Sequence, residues 1–130
     1  MRNFRTLNIW QEGIAIVRQI YYLAALLPVE EKYGLRSQIC RSAVSIPSNI
    51  AEGCSRVSQK DFKRFLEIAL GSSYELETQL MIIEELSLIS KKDVAVMIDH
   101  LNKEQKMINN LITKLKAASK KQMAKSDIKT

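Results

Sequence analysis

The sequence predicts an all-α fold, an antiparallel up-down-up-down four-helix bundle. Apolar residues recur at helical spacing in four separate segments, and two of these open on the same Ser-x-x-Asp cap. Only a few residues join segments two, three and four, which suits antiparallel neighbours. The chain has 130 residues, 46% of them apolar, with only 4 Gly and 2 Pro. That composition suits one globular helical domain, expected over residues 1–116.

The first helix is expected from about Leu7 to Leu27, where Pro28 stops it. Ile9, Ile16, Ile20, Ala24 and Leu27 lie on one side of it. Trp10, Ile14, Val17 and Tyr21 make the opposite side apolar as well, so this helix sits deep in the domain or meets another subunit. The second runs from Val29 or Leu35 to Gly53. Its core stripe is Leu35, Ile39, Ala43, Ile46, Ile50 and Gly53, opposite a polar stripe of Arg41, Ser45, Ser48, Asn49 and Glu52. Pro47 removes one backbone donor and predicts a kink, with Ser45 or Asn49 available to satisfy freed groups.

Ser58 and Asp61 form the cap of the third helix. Phe62, Leu66, Ala69, Ser73, Leu76, Leu80 and Ile83 then alternate spacings of four and three, a coiled-coil-like seam. Ala69, Gly71, Ser72 and Ser73 cluster in mid-helix and would let a neighbour approach closely. Ser90 and Asp93 repeat the cap and open the fourth helix, whose core face is Val94, Met97, Leu101, Ile108, Leu111 and Leu115. The apolar pattern fades after Leu115, so residues 117–130 are expected as a lysine-rich tail, frayed or disordered.

Several function classes are disfavoured. The N-terminus lacks the apolar stretch and cleavage site of a signal peptide, and no apolar run reaches the roughly 18 residues of a membrane span. A cytoplasmic protein with no membrane partner is expected. On one helix, Cys40 and Cys54 would stand about 21 Å apart, too far for a disulfide, and read as buried thiols. His100, the only histidine, lies between Asp99 and Asn102 on a polar face and reads as a surface residue. There is no metal-ligand spacing, Gly-rich phosphate loop or plausible catalytic triad. Neither an enzyme, nor a cofactor, nor a metal is expected.

Polar residues in the stretch Arg41–Leu80 are the candidates for function. Arg41, Ser45, Asn49, Glu52, Ser72, Glu75 and Glu77 form either a register-fixing network or a polar cavity or subunit interface. Arg56, Lys60, Lys63 and Arg64 surround the turn between helices two and three, a solvated face or a nucleic-acid contact. Asp61 and Glu67 dilute the field there, and no aromatic residues are interleaved to stack bases. The net charge is +6, and most of it lies late in the chain. Lys114, Lys116, Lys120, Lys121, Lys125 and Lys129 face only Asp127. This end reads as a solvated helix terminus or as an arm attracted to phosphates.

The motifs also carry a resemblance. Trp10-Gln11, Glu31-Lys32-Tyr33-Gly34-Leu35, Gln38 with Arg41, and the run Ser45-Ile46-Pro47-Ser48-Asn49-Ile50-Ala51-Glu52-Gly53 begin it. Phe65-Leu66, Ala69, Gly71-Ser72 and Glu75-Leu76-Glu77-Thr78-Gln79-Leu80 complete it. On these the chain resembles the four-helix bundle proteins encoded in intervening sequences of bacterial 23S ribosomal RNA genes. It is also similar to the accessory protein of diversity-generating retroelements, a pentameric bundle that binds nucleic acid and a reverse transcriptase. The resemblance implies a ring-like homopentamer and leaves the lysine tail unmatched. The expected function is therefore a non-catalytic, oligomeric protein that binds RNA or DNA through repeated basic surfaces. The alternative is an oligomeric scaffold for a protein partner, with no nucleic-acid role.

Overall fold

The computed structural model describes residues 2–129, with side chains as far as residue 126. Four helices form, α1 (Asn8–Leu26), α2 (Leu35–Cys54), α3 (Gln59–Glu85) and α4 (Lys91–Lys129), and there is no strand among the described residues. Short 3₁₀ turns at Phe4–Thr6 and Val29–Glu31 precede α1 and α2. Each helix packs on its neighbour in the chain, and α4 returns to α1, closing the bundle.

The expected stripes supply the core. Phe62, Leu66, Ala69, Ser73, Leu76, Leu80 and Ile83 are all buried on α3, facing Ile39, Ala43, Ile46 and Ile50 of α2. Burying one such large aliphatic side chain contributes roughly 1.5–3 kcal/mol. Both caps form: Ser58 Oγ accepts from the Asp61 N–H at 3.1 Å, and Ser90 Oγ from the Asp93 N–H at 3.2 Å. The end of α2 approaches α3 closely. A Cβ on Gly53 would lie 2.8 Å from the Phe65 Cβ, so a bare backbone is needed there.

Two expectations change, and one alternative narrows. On the outer side of α1, Trp10 and Val17 pack half-buried against the core while Ile14 and Tyr21 are exposed, so within this chain the helix is not enclosed on all sides. Gly71 faces open space rather than a packed neighbour, with nothing within 4 Å of where its Cβ would be. The boundary near residue 116 is a change of burial, not of secondary structure. Within the segment expected to fray, helix continues to Lys129, while every side chain described after Leu115 is exposed. Its Lys, Ala, Gln and Met residues favour helix without tertiary contacts.

Pro47 lies inside α2 without ending it. Asn49 does not reach back to the carbonyl that Pro47 leaves free; its Nδ2 donates to the Ser45 carbonyl at 2.8 Å and to Ser45 Oγ at 2.9 Å. Pro47 packs instead on Gly13 of α1. A Cβ at Gly13 would stand 3.2 Å from the Pro47 Cβ and 3.3 Å from Glu104 Oε2. Three helices therefore meet around one carboxyl group. Glu104 is 0% exposed, and neither of its oxygens has a hydrogen-bond partner among the described residues. Burial, reinforced by the charge of Glu12, pushes this carboxyl up from 4.5 to about 8. At neutral pH the group is mostly protonated, which spares the interior a bare charge.

The neighbouring seam corrects the reading of His100. It is half-buried, and it ties α4 to α1 through Gln19 Oε1 at 2.6 Å and Glu12 Oε2 at 2.7 Å. Glu12 thus faces both His100 and the buried acid, while Pro47 presents no charge from α2.

Because folding raises the Glu104 pKa, its stabilising share is fully present below about pH 4.5. It is lost as pH rises to about 8. Thermal melts are expected to show stability falling by on the order of a few kcal/mol between about pH 5 and pH 9. Glu104→Gln should flatten that slope, and equal slopes in both proteins would exclude Glu104 as the titrating group.

Candidate nucleic-acid interface

Antiparallel packing brings the start of α1, the end of α2, the start of α3 and the last third of α4 to one end of the bundle. The residues before α1 are fastened there. The Arg2 N–H donates to the Cys54 carbonyl at 3.4 Å, its Nη1 donates to the Arg56 carbonyl at 3.3 Å, and its guanidinium lies 4.1 Å over the Phe62 ring. Arg5 stacks nearby on Phe4, at 4.6 Å. Across this end, Gln59, Lys60 and Lys63 of α3 face Leu115, Ser119, Gln122 and Met123 of α4 over a groove of about 460 Å³. Lys116 and Lys120 share the flank of α4 that carries Met123, being seven and three residues from it. The two basic groups that were separate in the sequence therefore border one groove.

Other members of those groups stand apart. Arg56 turns toward α2, where its Nη2 donates to Glu52 Oε1 at 2.7 Å and its guanidinium lies 4.8 Å over the Phe65 ring. Its charge is largely matched. Arg64 is exposed, and its helical position points away from the core stripe. Lys114 and Lys121 are exposed on the outer side of α4. Arg56 engages Glu52, and Arg2, Arg5, Lys60, Lys63, Arg64 and the lysines from 114 onward outnumber Asp61 and Glu67, so the end remains cationic.

The polar candidates do not converge on one cavity. Ser45 and Ser72 share a hydrogen bond of 2.9 Å between α2 and α3, with Asn49 joined to Ser45. One turn earlier, buried Ser42 donates to Gln79 Oε1 at 3.0 Å, and Gln79 Nε2 donates to Glu75 at 3.4 Å. Glu77 accepts from Gln105 Nε2 at 2.9 Å, joining α3 to α4. Arg41 is exposed beside Tyr21, Tyr33 and Val44, away from the others. Glu52 and Glu75 are exposed at the surface. These contacts fix the helices in register at successive levels.

Cys54 is buried and Cys40 half-buried, both as free thiols raised by desolvation, with Arg2 and Arg36 respectively opposing the rise. Among the described residues no three His, Cys, Asp or Glu side chains group as metal ligands, and no helix is long and apolar enough to cross a membrane. Two features escaped the sequence reading. Arg2 and Arg5 join the basic end, legible only once the direction of each helix is known. Ser42 and Gln79 are a buried polar pair, hidden because Ser42 borders the apolar stripe of α2.

The model of the 23S rRNA-intervening sequence protein family matches residues 5–110. No curated protein matches the sequence. A crystal structure of a protein with unknown function from the S23 ribosomal protein family of Bacteroides thetaiotaomicron superposes with a TM-score of 0.75. It is 26% identical, and the match covers 80% of this chain and 97% of that one. The family match stops at residue 110, short of Lys114 and the lysines that follow.

Proposed function

The chain belongs to the 23S rRNA-intervening sequence protein family, and on that premise we propose that it is a non-catalytic, cytoplasmic nucleic-acid-binding protein. The observation that carries this reading is the groove between α3 and α4, where Lys60 and Lys63 meet the flank of Lys116 and Lys120. These lysines have no ion-pair partner among the described residues, and clustered lysines displace counterions from a phosphate backbone, giving salt-sensitive affinity with little sequence preference. We read the resemblance of its motifs to the accessory protein of diversity-generating retroelements as pointing the same way.

The working form we propose is the ring-like homopentamer implied by the family resemblance. Gly71 supports a subunit contact. A mid-helix glycine costs about 1 kcal/mol relative to alanine, and nothing inside this chain uses its missing side chain. Exposed Ile68 and Ile82 lie on the same helix, and exposed Leu86 follows its last residue. Five copies at +6 each would place about +30 on one particle, enough to hold polyanions at modest salt.

A second reading, an oligomeric scaffold for another protein, is favoured by one observation. At the end away from the basic groove, Tyr22, Leu23, Leu26, Val96 and Met97 line an apolar depression of about 440 Å³. Binding to nucleic acid separates the two readings.

In fluorescence titrations with RNA and DNA at several salt concentrations, the wild-type chain is expected to bind with a steep salt slope. Lys60→Glu/Lys63→Glu should weaken that binding roughly ten-fold or more. No binding at low salt would leave the scaffold reading. Light scattering tests the assembly independently. It should return several times the 14.8 kDa chain mass, falling to 14.8 kDa in Gly71→Arg. A monomeric wild-type protein would refute the ring.

A further inference from the structure

The outer face of α4 carries a feature separate from the groove. Lys103, Lys114, Lys121 and Lys125 follow one another at separations of eleven, seven and four residues, which at 3.6 residues per turn puts them in one line. Lys106 stands at the edge of that line, beside Asn110. All five lysines are exposed. Lys103 is paired with Asp99 at 3.3 Å, and the other four have no ion-pair partner among the described residues. The line lies opposite the core stripe of Leu101, Ile108 and Ile112, on a helix unbroken from Lys91 to Lys129. From Lys103 to Lys125 it spans 22 residues, or about 33 Å.

From this ridge, and resting on the nucleic-acid reading above, we infer that the preferred ligand is a duplex held by its phosphates along α4. Three physical points favour a duplex over a single strand. A rigid row of cations about 33 Å long matches one helical turn of duplex, about 34 Å. A duplex also presents its charges densely and on a stiff axis, so several phosphates meet the row together without an ordering cost.

The third point is the lack of stacking surfaces. Single strands are held by successive aromatic platforms. Along this ridge one exposed ring is present among the described residues, Tyr74, beside Lys103 and Lys106 at the bundle end of the row. Tyr21 and Tyr33 belong to the α1–α2 side, Tyr22 lies against the first turns of α4 beside Asp93 and Val96, before the row begins, and Phe62 and Phe65 lie beneath Arg2 and Arg56. No row of rings follows the lysines. The lysines contact backbone, not base edges, so duplexes of different sequence bind alike.

The test uses the full chain and a fluorescent hairpin with a 14-base-pair stem, against a single strand of the same length and composition, in anisotropy titrations across salt. The duplex should bind roughly ten-fold tighter or more. Lys114→Gln/Lys121→Gln/Lys125→Gln changes only exposed side chains, and circular dichroism checks that it is folded. Its slope of log affinity against log salt on the duplex should shrink by about three. Equal affinity for both ligands, or an unchanged slope in the triple variant, would overturn the duplex track while leaving nucleic-acid binding in place. Binding to neither ligand would overturn both.

Discussion

Short connections constrain everything else in this protein. Residues 55–58 join α2 to α3, and residues 86–90 join α3 to α4, so each helix must reverse direction and lie against the last. Once reversed, the apolar stripes face one another and the bundle closes. The same reversal decides where charge goes. It carries the start of α3 to the last third of α4, and it brings Arg2 to the end of α2 and the start of α3. A groove bordered by lysines follows from helix direction and length, with no loop built to hold it.

Inside that frame, backbone proximity is set at a few points. Gly53 lets α2 close on Phe65, and Gly13 lets α1 settle onto Pro47 and the carboxyl of Glu104. The second contact couples packing to protonation. A neutral Glu104 can be enclosed by three helices, whereas the ionised group would face Glu12 without a hydrogen-bond donor. The seam between α1 and α4 is held at the same level by His100, Glu12 and Gln19.

The parts of this arrangement that repeat along one helix were legible in the sequence. The seven-residue seam of α3 and the caps at Ser58 and Ser90 depend on spacing within a few turns, and all of them appear where spacing puts them. What depends on register between helices was not legible. His100 looked like a surface residue because its partners, Glu12 and Gln19, are more than eighty positions away. Glu104 did leave a signal: it stands three residues after Leu101 and four before Ile108, on the buried stripe, where an acid is out of place. Helix beyond Leu115 was harder to read, because the expectation there was based on burial while helix propensity continues without it. Among the site residues, Lys60 and Lys63 were legible as basic positions, but their meeting with α4 was not. The removal of Arg56 by Glu52 and Phe65 needed the turn itself.

A bundle whose cations are gathered at one end and along α4 should touch a polyanion unevenly. Lysine acetylation footprinting, with and without a nucleic-acid duplex, measures that directly. Lys60, Lys63, Lys116 and Lys120 of the groove, together with Lys114, Lys121 and Lys125 of the ridge, should be protected by the duplex, while Lys32, Lys91 and Lys92 at the far end react at unchanged rates. Equal protection at both ends, or protection confined to Lys32, Lys91 and Lys92, would contradict a basic end built by the antiparallel fold.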